Sequence, residues 1–131
     1  RSDNQSFAES AVDVVKSAAY ASRDFAAIKG PKSTGCVAAT AKVVFDRQNQ
    51  KSATKFTAGK ASFIPAPAPF FGIRLGITLT LPNGTTEPAV SDTFYMQKGN
   101  DEAQYGFLTV GGPDTNAETA ALASLAKRTQ A

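Results

Sequence analysis

An α+β fold is predicted: a long N-terminal amphipathic helix packed on an antiparallel β-meander sheet, with a short C-terminal helix. Three observations predict it. Apolar residues recur four and three apart across residues 3–29, apolar and polar side chains alternate strictly from Ile73 to Leu81, and an Ala-rich stretch follows Gly111-Gly112-Pro113. With 131 residues, 42% of them apolar and 19% charged, the chain can fill one ordinary core, so one domain over 1–131 is expected. Its parts are a helix at 1–30, a sheet at 36–110 and a helix at 115–129.

The N-terminal helix rests on Phe7, Ala11, Val14, Ala18, Ala21, Phe25 and Ile28, whose spacing places them on one helical face. Ala8, Val12, Val15, Ala19 and Ala26 widen that face, while Glu9, Asp13, Lys16, Tyr20, Arg23 and Asp24 lie opposite. Ser2, Asp3 or Asn4 supplies the N-cap, and Gly30-Pro31 stops the helix. Burial is expected at Phe7, Val14, Phe25 and Ile28.

Residues 36–45 (CVAATAKVVF) are apolar enough for an interior strand, and residues 46–52 (DRQNQKS) form a polar connection. A weaker strand at 54–64 is interrupted at Gly59, where a bulge is expected. The alternating prolines Pro65, Pro67 and Pro69 make a stiff extended spacer, and Phe70-Phe71 after them reads as part of the core. Ile73, Leu75, Ile77, Leu79 and Leu81 alternate with Arg74, Gly76, Thr78 and Thr80, so this strand has an apolar face and a wet one. Pro82-Asn83-Gly84 turns the chain into an antiparallel strand at about 89–97, and residues 98–102 turn it again into a last strand at 103–110. Thr115 with Glu118 three residues on is a capping-box pattern that opens the C-terminal helix, which has only Leu122 and Leu125 for large apolar contacts.

Composition excludes more than it names. The chain has no histidine, which removes the usual general base near neutral pH and the commonest metal ligand. Cys36 is the single cysteine, so no internal disulfide forms, and it reads as a small buried hydrophobe at the head of a strand. Only Lys42 or another cation is at hand to activate it. Of the carboxylates Asp92, Asp101, Glu102 and Asp114, all but Asp92 fall in predicted turns, and Gly111-Gly112 lacks the spacing of a phosphate loop. No enzymatic activity, metal or cofactor is expected.

Charge is distributed unevenly. Lys29, Lys32, Lys42, Arg47, Lys51, Lys55 and Lys60 fall between residues 29 and 60 against the single acid Asp46, although the net charge is only +3. Laid along two paired strands, Lys42, Arg47, Lys51, Lys55 and Lys60 would make a stripe for phosphates, with Phe45, Phe56 and Phe63 interleaved. A solvated face beside a core face explains the same pattern and is preferred, which leaves nonspecific nucleic-acid binding as a lesser alternative.

The segment Ala21-Ser22-Arg23-Asp24-Phe25-Ala26-Ala27-Ile28-Lys29-Gly30, after a long amphipathic helix and before a meander, resembles the end of the first helix in type IV pilins and type II secretion pseudopilins. Minor pseudopilins of the H type are the nearest in pattern. That resemblance implies a non-enzymatic structural subunit of a cell-envelope fibre or secretion apparatus, periplasmic or extracellular. It would assemble with like subunits through Phe7, Ala11, Val14, Ala18, Ala21, Phe25 and Ile28, anchored by a membrane segment upstream of Arg1. A periplasmic, secreted or virion binding module that acts through its sheet is the alternative.

Overall fold

A computed structural model describes residues 6–130, with side chains placed for residues 8–128. The elements run β1 (Ser6–Val14), α1 (Ala18–Ile28), α2 (Ser33–Asn49), β2 (Lys55–Ile64), β3 (Phe71–Thr80), β4 (Thr86–Lys98), β5 (Asp101–Val110) and α3 (Thr115–Gln130). The strands form one five-stranded sheet in the order β1-β5-β4-β3-β2, antiparallel throughout.

The continuous helix expected over residues 3–29 is not formed. Its first half is β1, paired with β5 without a break from Ser6↔Thr109 to Val14↔Asp101. Helix formation here would leave the outer backbone groups of β5 without partners. It would also place Ser10 and the β-branched Val12, Val14 and Val15 in a state they disfavour. The four-and-three stripe relied largely on alanine, which commits to neither period. A helix starts only where Ser17 takes the extended backbone of an N-cap and accepts a hydrogen bond from the Tyr20 N–H at 3.2 Å. Val14, expected inside, is 72% exposed. The N-cap candidates Ser2, Asp3 and Asn4, and the side chain of Phe7, lie outside the described residues.

A second correction concerns residues 36–45, expected as a strand and found in α2. A short apolar run does not distinguish a buried strand from a helix. Here Val37, Ala38, Ala41 and Phe45 share a helical face that packs on the sheet, and the polar residues 46–49 complete the last turns rather than a loop. Lys42 and Asp46 pair at 2.6 Å one turn apart, a contact that exists only in the helix. Cys36 is accordingly exposed on α2 and is not buried at a strand end.

The meander follows the sequence pattern. Leu81 and Thr85 close the turn, Gly84 takes a φ of +84°, and the register that results opposes Thr80 to Thr86, Arg74 to Asp92 and Ile73 to Thr93. The β2–β3 register shifts between Ala58 and Ala61, at the Gly59 irregularity. A side chain on Gly59 would stand 3.0 Å from the Gly76 carbonyl oxygen.

Both sheet faces are covered in part. On the first, Ile73, Leu75, Ile77 and Leu79 meet α2, and Phe25 of α1 packs edge-on against Phe71 at 4.9 Å. The face expected to be wet carries a second cluster, in which Phe70, Phe94, Met96 and Tyr105 receive Leu122 of α3. Phe70 is therefore core, and Phe71, half-buried, stacks on Tyr95 at 5.1 Å.

Candidate functional site

A cleft of about 720 Å³ lies between α2 and the first face of the sheet, partly open to solvent. Strand alternation builds its floor. Ile73, Leu75 and Ile77 of β3 project on the same face as Ser91, Thr93 and Tyr95 of β4, because Ile73 opposes Thr93 and Leu75 opposes Ser91. On β5 the neighbour of Thr93 is Gly106, which contributes no side chain and leaves the floor low. The roof is the α2 face bearing Val37, Thr40, Ala41 and Val44, and Phe45 stacked on Phe56 at 5.5 Å closes one end.

The cleft exists because the two helices cover different parts of the sheet. α2 lies over β2 and β3, α1 reaches β4 and β5, and the hydroxyl-bearing middle of β4 is left between them. A volume of this size and a mainly apolar wall are what small-molecule sites show, typically about 300–1,000 Å³.

Its polar content is specific. The hydroxyls of Ser91, Thr93 and Tyr95 form a row along β4, and among the described residues none of the three has a hydrogen-bond partner in the protein. Burial raises the Tyr95 pKa, so its hydroxyl remains a donor. Among the described residues Glu9 of β1 is the one acidic side chain that lines the cleft, and no Lys or Arg does.

On the opposite face a separate charged group lies beneath α3. Arg74 holds Asp92 in a two-pronged pair, Nε to Oδ1 at 2.7 Å and Nη2 to Oδ2 at 2.6 Å, and Asp92 is fully buried. Glu118 comes down beside them, 4% exposed, with its Oε1 lacking a partner. Burial first, and the Asp92 charge second, push its pKa up to about 7. The expected capping box is displaced by one residue: Asp114, not Thr115, accepts from the Ala117 N–H at 3.0 Å. Glu118 therefore turns inward instead of back to the cap. Asp92 and Glu118 are buried while the Arg74 side chain stays 31% exposed, so the group ties α3 to the sheet with its guanidinium at the surface.

The residues singled out from sequence are placed differently. Ala11 and Val14 are on β1 while Ala18, Ala21, Phe25 and Ile28 are on α1, so the proposed assembly stripe is not one surface, and Ala21 is wholly buried. The basic residues are not on two paired strands. Lys42 and Arg47 are on α2, Lys51 follows it, and Lys55 and Lys60 are on β2. Lys42 pairs with Asp46, and the Lys55 ammonium donates to the carbonyls of Asn49 and Ser52 at the α2 C-terminus. Phe45 and Phe56 are committed to the core, and Phe63 is 47% exposed.

Sequence reasoning missed Ser91 and Thr93, because they fall on the polar side of the β4 alternation, with Glu87 and Gln97, and only the register against Leu75 and Ile73 of β3 places them on an apolar floor. No helix is long and apolar enough to cross a membrane, and no group of three or more potential metal ligands occurs among the described residues. Comparison with protein-family models, curated proteins and solved structures found no match.

Proposed function

We propose that this domain is a non-enzymatic binding module that takes a small, mainly apolar molecule into the cleft between α2 and the sheet. The observation that carries this reading is the row of unpartnered hydroxyls, Ser91, Thr93 and Tyr95, set in an otherwise apolar floor. The three residues are half-buried, and hydroxyls open toward a mainly apolar cavity are placed to meet the oxygens of a guest. Fibre assembly through the N-terminal helix required a continuous helix over residues 3–29, and that premise is absent. The module that acts through its sheet is the reading the geometry supports.

The test is titration with the neutral fluorescent probe N-phenyl-1-naphthylamine, read without tryptophan background since the chain has none. Saturable binding is expected, and Thr40→Trp, which adds bulk from the exposed roof of the cleft, should abolish it with the circular dichroism spectrum unchanged. Equal binding by the folded variant would place the probe elsewhere and remove the proposal.

A further inference from the structure

The chemical class of the guest follows from how charge and hydroxyls are laid out along the cleft. We propose that it is an uncharged, edge-polar molecule, a rigid apolar body of the steroid type with hydroxyl or carbonyl oxygens spread along its length, and not a fatty acid. The proposal rests on the cleft reading above and deepens it.

Ser91, Thr93 and Tyr95 are two residues apart, so their positions span about 13 Å along β4. Opposite them on β3 stand Leu75, Ile73 and Phe71 in turn, an apolar row of the same length. A guest lying along the strands thus meets hydrogen-bonding groups on one edge and apolar groups on the other. A single-headed amphiphile offers its oxygens at one end and would leave most of the row without partners. Buried polar groups that lack partners cost free energy, and this selects for distributed oxygens.

Sign of charge is the second discriminator. Among the described residues no Lys or Arg lines the cleft: Arg74 projects to the opposite face and is bound to Asp92, and Lys29 is held over the Phe25 and Phe71 rings, 4.5 and 5.5 Å from their centroids, outside the lining. Glu9, which leans over Gly106, adds a negative charge at the β1 side. An anionic head would enter without a counter-ion and beside a carboxylate, both unfavourable. Oxygen acceptors without charge suit the donors present, and the neutral phenol of Tyr95 is one of them.

Displacement of N-phenyl-1-naphthylamine tests this with three competitors: progesterone, with carbonyls at both ends of a rigid body; monolaurin, uncharged with one head; and laurate, the anionic counterpart. Progesterone is expected to displace the probe at a concentration at least tenfold below that of either chain. Ser91→Ala and Thr93→Val should each weaken progesterone about fivefold more than they weaken the probe. Laurate or monolaurin equal to or stronger than progesterone would overturn the proposal and leave the cleft standing. Progesterone binding insensitive to both hydroxyl substitutions would also overturn it. A failure of the probe to bind in a Thr40-dependent way would instead remove the cleft reading itself.

Discussion

Glu118 keeps its proton near neutral pH because its carboxyl is buried beside the Asp92 carboxylate, and only partly relieved by Arg74. The native pKa, about 7, lies above the ordinary 4.5, so folding takes up a proton between those values. The stabilising contribution is then complete below pH 4.5 and is lost as pH rises through 7. Glu118→Gln keeps the shape without the charge. It should flatten the fall in urea-unfolding stability between pH 5 and 8.5 by on the order of 1–3 kcal/mol. Glu102, raised by burial and by Asp24, contributes in the same direction. The readout is therefore the difference between wild type and variant, and no difference would show that Glu118 is ionised in the fold at neutral pH. Arg74→Met leaves the buried Asp92 carboxylate unpaired and should cost about 3–5 kcal/mol at pH 7. A loss under about 1 kcal/mol would mean that water reaches Asp92.

Among the elements, β1 makes the most distinctive prediction. As an edge strand it turns alternate amides toward β5 and the others outward, so hydrogen exchange over residues 8–14 should show protection at every second residue. A continuous protected run would restore the helix. This segment was illegible in sequence because Ala8 and Ala11 fit either period and the decisive partner, the open edge of β5, lies some ninety residues away. Residues 36–45 failed for the related reason that apolar runs carry no period. By contrast β3 and β4 were legible, since strict alternation and Pro82-Asn83-Gly84 act locally. The Arg74–Asp92 pair follows from that hairpin register, whereas Glu118 required knowing that α3 crosses the same face. The cleft was out of reach for the same reason, because its roof is an element whose type sequence misassigned.

At the scale of the whole molecule, the sheet separates two sites that share its strands. Arg74 alternates with Ile73 and Leu75, and Asp92 alternates with Ser91 and Thr93, so each strand sends one side chain to the cleft and the next to the group under α3. Sharing a strand does not by itself couple sites. A pleated ladder bonded on both sides, as β3 and β4 are, has no second arrangement to switch into, and coupling needs a bistable element. The expectation is that Thr93→Val, at the cleft, and Glu118→Gln, under α3, act independently. Their summed effects on unfolding free energy should match the double variant within about 0.5 kcal/mol. Probe affinity should likewise be the same at pH 6 and pH 8.5, across the titration of Glu118. A larger interaction energy, or an affinity that follows the Glu118 pKa, would show that α3 docking reshapes the cleft floor through β4.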